Sequence, residues 1–218
     1  MRYTTHQTEF EVTLEPESPA IASVVLLHGL GADGWDFVPI VEEVRLPMPV
    51  RFIFPHAPER PVTVNAGYVM RAWYDIKSFT PDGRADAAGL ADSARRVYRY
   101  LDAEIARGVA AERIVHARFP KVGAMALPAY RPFPAQLAMG KSHANSDLPI
   151  LMCHGRMDPV VEIEMGLEAR AVLEAQGYPV EWREYRMEHE VCGEELAETG
   201  KWLVRRFGPA LSETADVC

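Results

Sequence analysis

The feature that most restricts the fold is a continuous apolar run, ASVVLL at Ala22–Leu27, followed at once by the glycine-rich segment HGLGADG at residues 28–34. An unbroken apolar run of this length is typical of a β-strand that is buried on both faces of a sheet. Helices must then cover both faces of that sheet, as they do in α/β proteins.

The rest of the chain alternates between strand and helix patterns. We predict further strands at residues 9–15 (as the sheet edge), 51–54, 148–153 and Val180–Tyr185, and helices at residues 35–44, 86–107, 164–176 and 194–207. This alternation favours βαβ units, a mostly parallel sheet and one domain over residues 1–218. Residues 59–82 are predicted as a long functional connection, because loops of this length are rarely idle.

Composition excludes several classes of function. The formal charge of -8 argues against a nucleic-acid partner, because binding phosphates needs a basic face. The N-terminal sequence lacks the apolar core of a secretory signal, and no apolar run is long enough to span a bilayer. The three cysteines form neither a disulfide framework nor a zinc motif. We therefore expect a cytoplasmic protein.

Three segments with residues suited to catalysis follow predicted strands. The ends of strands are where open α/β sheets bind ligands. HGLG at residues 28–31 offers backbone N–H groups suited to an oxyanion hole. Asp158 follows the strand at residues 148–153, and His189 follows Val180–Tyr185. A carboxylate at a neighbouring strand end would hold the histidine in one tautomer, as catalytic triads require.

Each of these residues also has a structural interpretation. Asp158 could be a turn residue before Pro159, and His189 could be merely exposed. Cys192 lies three residues past His189 and could replace a nucleophile, although such close neighbours in sequence rarely reach the required geometry.

A metal site is a further alternative. His28, His56 and His154 all lie at strand ends, but neither a carboxylate nor a cysteine completes a ligand set, so we predict no metal.

Several segments together resemble the carboxylesterase, acyl-protein thioesterase and lysophospholipase family of α/β hydrolases. The matching segments cover nearly the whole chain: LLHGLGADGWDF, FIFPHAP, WYDI, AGLADSARRV, AMAL, HGRMDPVV, GYPVEWREY and MEHEVC. The resemblance implies an α/β-hydrolase fold. It also implies hydrolysis of carboxylic esters or thioesters by a serine nucleophile, without a cofactor. The acidic, compact, lidless character of the chain favours small or short-acyl esters over insoluble lipids. A homodimer is plausible for this family.

The resemblance also implies roles for individual residues. Asp158 would orient His189, and His189 would be the general base. The N–H groups of Leu30 and Lys121 would form the oxyanion hole. The long connection, with Trp73 and Tyr74, would shape the acyl pocket, although its aromatic residues could instead be core filler.

The nucleophile position departs from the family. Residues 113–127 have the strand, turn and small-residue helix start of a nucleophile elbow. Where the family has Gly-Phe-Ser-Gln-Gly-Gly, this chain has Arg118-Phe119-Pro120-Lys121-Val122-Gly123. Pro120 has no nucleophilic oxygen, and its φ is locked near about -65°. The family's next strand is also not recognisable in residues 128–147.

Two explanations account for the defect. Compensating frame errors in the recorded DNA could turn a normal elbow into this sequence, and an unambiguous in-frame proline codon at position 120 would reject that idea. Alternatively, the chain is a non-catalytic descendant that binds an acyl ligand or a protein partner.

With Pro120 in place, we expect almost no ester hydrolysis. Loss of a triad nucleophile lowers kcat by about 10⁶. The oxyanion hole and substrate binding retain a rate enhancement of roughly 10³–10⁴ over the uncatalysed reaction in water. Hydrolysis of a p-nitrophenyl ester measures this directly. Ordinary turnover that disappears in His189→Ala would contradict the prediction.

Overall fold

Nine strands make up the sheets of the computed structural model, which describes residues 1–78, 86–118 and 148–208. They are β1 (Tyr3–Gln7), β2 (Glu11–Pro16), β3 (Ala22–Leu27), β4 (Val50–Pro55), β5 (Glu59–Val62), β6 (Tyr68–Arg71), β7 (Ile114–Arg118), β8 (Ile150–Gly155) and β9 (Val180–Tyr185). Five of them form a sheet in the order β1-β2-β4-β3-β7, while β5-β6 and β8-β9 form two-stranded sheets. Strands β4, β3 and β7 are parallel, as are β8 and β9, whereas β1 and β2 extend the large sheet in the antiparallel sense.

Helices pack against these sheets. In the described ranges they are α1 (Ile40–Val44), α2 (Ala87–Ala106), α3 (Ile163–Ala175) and α4 (Gly193–Phe207), with 3₁₀ turns at Thr63–Asn65 and Ala111–Arg113. None of the helices described is long and apolar enough to cross a membrane.

Strand β3 is buried on both faces, as its apolar run predicts. Val24 and Leu26 join a core that also contains apolar side chains of α1 and α4. Val25 and Leu27 face a second core, which includes Val97 of α2. Because side chains alternate along a strand, one six-residue segment contributes to two helix-covered faces.

Strands β8 and β9 share this layered arrangement. Leu151 and Cys153 belong to the same core as Val24 and Leu26. The alternate residues of β8, Ile150 and Met152, pack instead with Leu173 of α3. The α/β architecture with helices on both faces is therefore confirmed.

The ends of α2 follow local rules. The Asp86 side chain caps the helix by accepting a hydrogen bond from Gly89 N at 3.0 Å. Gly108, just beyond the helix, has a φ of +95°, a conformation that glycine adopts without steric cost. The helix predicted at residues 86–107 is thus confirmed.

Two local predictions were wrong, and one hairpin was not predicted. Residues 9–15 do not form the edge, because β2 lies between β1 and β4. The helix predicted at residues 35–44 is reduced to α1, after a series of turns. The long connection contains the β5-β6 hairpin. Polar strands such as β1 carry no apolar alternation, so only their pairing partners reveal them. The predicted small-residue helix start lies outside the described residues. So do residues 128–147, in which the family's next strand was not recognisable.

A buried charge network joins three elements of the large sheet to α2. Glu104 of α2 is only 2% exposed and accepts a hydrogen bond from Ser23 Oγ at 2.5 Å. Its other oxygen lies 3.3 Å from Arg51 Nε, and Arg51 Nη1 lies 2.5 Å from Glu15 Oε2. Buried carboxylates of this kind depend on their partners, because an unpaired buried charge is strongly unfavourable.

Replacing Arg51 with methionine should therefore destabilise the fold. The change keeps most of the side-chain volume but removes the nearer of two cations beside Glu104, because Arg107 Nε also lies 3.7 Å from that carboxylate. We expect the free energy of unfolding to fall by about 3 kcal/mol. Urea denaturation measures the change. The matched control is Arg2→Met, because the Arg2–Glu17 pair is largely exposed and should contribute less than about 1 kcal/mol. Equal effects of the two substitutions would disprove the role of the network.

Candidate active site

Asp158 and His189 form a hydrogen-bonded pair. His189 Nδ1 lies 3.0 Å from Asp158 Oδ1 and 3.1 Å from Oδ2. Because a carboxylate only accepts, Nδ1 must carry the proton, which leaves Nε2 able to take up another. The Asp158 side chain is fully buried, whereas the His189 side chain is 24% exposed. The histidine is therefore fixed by a buried acid while its own surface remains accessible.

Backbone groups hold the acid in place. Asp158 Oδ1 also accepts hydrogen bonds from Val160 N at 2.8 Å and Val161 N at 2.9 Å. These bonds form a tight Asx turn after β8, so Asp158 does have the turn role considered from the sequence. The same oxygen serves the turn and the histidine, and the two interpretations are compatible.

The loops that carry the acid and the histidine are in direct backbone contact. Met157 N donates to Met187 O at 3.1 Å, and Arg156 N donates to Tyr185 O at 2.8 Å. A Cβ atom on Gly155 would lie 2.5 Å from Glu188 O and 2.6 Å from Met187 O. Only glycine permits this approach, so Gly155 helps to set the distance between Asp158 and His189.

The glycine-rich turn after β3 is fixed by the β5-β6 hairpin. Gly31 has a φ of +75° and donates its N–H to Arg71 O at 2.9 Å. The Arg71 side chain in turn donates to Ala57 O at 2.9 Å. Within the described ranges the Leu30 N–H makes no hydrogen bond, and Leu30 is 37% exposed. No group of the described residues therefore occupies this N–H, which a substrate oxygen could accept.

His28 supports the same turn and is completely buried. Its Nδ1 donates to Gly29 O at 2.7 Å, and its Nε2 accepts from Ala57 N at 2.9 Å. Burial lowers the pKa of His28, so the neutral ring that this bonding pattern requires is favoured. These contacts give His28 a structural role in the turn.

Trp73 and Tyr74 lie in the second core, with relative exposures of 4% and 8%. Trp73 Nε1 donates to His28 O at 3.0 Å, and the Trp73 carbonyl accepts from the Ser93 hydroxyl of α2. Trp73 thus connects α2 to the turn that carries Leu30. The predicted role of Trp73 and Tyr74 in an acyl pocket stays a prediction.

The strand before the nucleophile position ends beside the same turn. Arg118, the last residue of β7, is paired with Leu27, the residue immediately before His28. Pro120 and Lys121 lie outside the described residues. The backbone register therefore places Arg118, which lies two residues before position 120, beside the start of the glycine-rich turn.

The structure places the other cysteines and histidines considered from the sequence as follows. Cys153 is buried in β8, and burial raises the pKa of its thiol, which makes it a poor nucleophile. Cys192 is the N-cap residue of α4. His56 Nδ1 accepts from Gly34 N at 2.9 Å. Within the described residues no group of three or more His, Cys, Asp or Glu residues is arranged to hold a metal ion.

Sequence reasoning missed two residues of the site. Arg71 was hidden in the unpredicted hairpin, where nothing in the local sequence indicates contact with the glycine-rich turn. Gly155 offered a signal, because a glycine directly after a buried strand often marks a close backbone approach.

The fold and the strand-end residues define the class as an α/β hydrolase. The sequence pattern of the Phospholipase/Carboxylesterase family matches residues 8–139 and 116–205. The chain is 35% identical to acyl-protein thioesterase 1 of Neurospora crassa, over 89% of this chain and 90% of that protein. It is 33% identical to acyl-protein thioesterase 1 of Gibberella zeae, over 86% and 92% of the two chains.

A solved structure agrees with these relatives. The crystal structure of Arabidopsis thaliana SOBER1 superimposes with a TM-score of 0.77 and 26% identity, covering 86% of this chain and 99% of that one. The chain belongs to the phospholipase/carboxylesterase family of α/β hydrolases. The resemblance noted from the sequence is confirmed.

Gly155→Ala tests the close approach of the two loops. The added Cβ overlaps backbone oxygens that cannot rotate away, so we expect a loss of about 2 kcal/mol in the free energy of unfolding. Thermal and urea denaturation check this. The matched control is Gly193→Ala, because a Cβ there meets nothing within 4 Å. A Gly155→Ala protein as stable as the Gly193→Ala protein would contradict the steric argument.

Proposed function

We propose that the chain is built to hydrolyse carboxylic esters or thioesters by a serine-hydrolase mechanism, with Asp158 and His189 as acid and base. The hydrogen bond between the buried Asp158 carboxylate and His189 Nδ1 carries this proposal. It fixes the tautomer in which Nε2 can accept a proton from a nucleophile. A surface histidine with a purely structural role would not need a fully buried acid behind it.

The proposed mechanism distributes three tasks. His189 Nε2 removes the proton of a nucleophilic hydroxyl and later returns it to the leaving group. Asp158 stabilises the imidazolium that forms in between. The N–H groups of Leu30 and Lys121 would stabilise the negative oxygen of the tetrahedral intermediate. The Leu30 N–H, on a turn fixed by Arg71, supports its part in this scheme.

The residue that should attack is absent. Position 120 is a proline, and Arg118 and Val122 replace the glycines that let an elbow turn tightly. In this form the chain is close to inactive on esters. The same substitutions favour a second candidate function, in which a non-catalytic homologue binds an acyl ligand or a protein partner.

The substrate class follows from the relatives. The two fungal relatives are named acyl-protein thioesterases, which supports an ester or thioester of a carboxylic acid as the substrate. We also propose a cytoplasmic location and keep a homodimer as the expected assembly.

Restoring the elbow tests the first candidate. The restored protein carries the family pattern through four changes: Arg118→Gly, Pro120→Ser, Lys121→Gln and Val122→Gly. We expect hydrolysis of p-nitrophenyl acetate to rise by up to about 10⁶-fold over the chain as written. A fluorophosphonate probe should label the restored protein and leave the chain as written unlabelled. Adding His189→Ala to the restored protein is the matched control and should abolish both signals.

The results separate the two candidates. A restored protein that folds, as judged by circular dichroism, yet neither hydrolyses the ester nor takes up the probe would refute the hydrolase proposal. Saturable binding of a non-hydrolysable fatty-acyl thioether to the chain as written would then support the binding function.

A further inference from the structure

The ends of β3 and β8 carry the same local arrangement of histidine and glycine. His28 Nδ1 lies 2.7 Å from Gly29 O, and His154 Nδ1 lies 2.9 Å from Gly155 O. In both places the ring contacts the carbonyl of the next residue. A carbonyl only accepts, so both histidines carry their proton on Nδ1.

Each of these carbonyls also closes a turn. Gly29 O accepts from Ala32 N at 3.4 Å, and Gly155 O accepts from Asp158 N at 3.4 Å. The N–H donor lies three residues beyond the glycine in both cases. The first turn carries Leu30, and the second ends at Asp158. One histidine–glycine unit therefore precedes the loop that carries Leu30, and another precedes the loop that carries Asp158.

The two histidines differ at the other ring nitrogen. His28 Nε2 accepts a hydrogen bond from Ala57 N. His154 Nε2 is buried and has no hydrogen-bond partner among the described residues. The His154 ring lies under α3, where a Cβ on Gly166 would come within 2.6 Å of it, and it stacks on Trp182 at 6.0 Å. A buried nitrogen without a partner is unfavourable, so the ring is not retained for Nε2.

We infer that His154 is a positioning residue for the acid of the site: its Nδ1–H holds the Gly155 carbonyl in the orientation that accepts Asp158 N–H. Glycine at position 155 is required for the approach to residues 187 and 188. The peptide after it is held at its N–H by the bond from Arg156 N to Tyr185 O at 2.8 Å. The His154 ring, clamped between α3 and Trp182, adds a second bond at the carbonyl of the same peptide. The carboxylate of Asp158 then faces His189.

This role rests on the proposed function of Asp158 and His189, but its test needs no turnover. The observable is the exchange with solvent of the His189 Nδ1 proton, measured by NMR on the full chain as written with ¹⁵N-labelled histidine. That proton is donated to Asp158, so its exchange reports how firmly the acid is held. A failure of the restored enzyme to hydrolyse esters would leave this measurement unaffected.

Substitution of His154 by asparagine or by glutamine distinguishes the role of Nδ1 from that of Nε2. An asparagine amide reaches the place of Nδ1, whereas a glutamine amide reaches the place of Nε2. We expect His154→Asn to retain slow exchange of the His189 proton. His154→Gln and His154→Leu should exchange about fivefold faster, the factor that corresponds to loss of one net hydrogen bond.

His28 provides the matched comparison. Both ring nitrogens of His28 are hydrogen-bonded, so neither asparagine nor glutamine reproduces both bonds. A substitution at His28 should affect the glycine-rich turn. His28→Asn should leave the exchange of the His189 proton unchanged.

Two outcomes would overturn the inference. Unchanged exchange in His154→Gln means that Nδ1 does not position the acid. Equally fast exchange in His154→Asn and His154→Gln means that the ring acts only by filling space. The comparison of His154→Asn with His154→Gln tests the role of Nδ1 even if His154→Leu fails to fold.

Discussion

The structure depends on the complete burial of strand β3. Strands β4 and β7 pair with its two edges, and the side chains on its two faces belong to two separate cores. A segment without exposed side chains has one compatible register, because a slip by one residue would exchange the two faces. That register places His28 and the glycine-rich turn at the end of β3, beside the end of β7. The position of the candidate oxyanion hole is thus a consequence of core packing.

The Asp158–His189 pair depends on a different constraint, the contact of two loops through backbone atoms. Gly155 lets residues 187 and 188 approach, and the backbone N–H groups after Asp158 bind its carboxylate. Backbone hydrogen bonds hold a buried charge without requiring a basic side chain nearby. The histidine can therefore be oriented by a buried carboxyl group that pairs with no Lys or Arg among the described residues.

The described part of the chain combines a hydrogen-bonded Asp158–His189 pair, a turn that carries the Leu30 N–H and a buried support for that turn. Family membership rests on matches across most of the chain, including residues on both sides of position 120. Pro120 departs from the family pattern, together with Arg118 and Val122. Nothing in the packing of β3, β7 or β8 explains a proline there.

The sequence by itself determined β3 from its unbroken apolar run and α2 from its apolar stripe, because these patterns are local, and it also predicted β9 and α4. It identified Asp158 and His189 as candidates because both follow predicted strands, whereas the role of Leu30 came from the resemblance to the family. Only the tertiary structure revealed β1, the β5-β6 hairpin and the bond from Arg71 to Gly31, since these rest on partners distant in sequence. It also showed which nitrogen of each buried histidine carries the proton. Hydrogen-bond direction depends on neighbouring atoms, and no residue pattern specifies those neighbours.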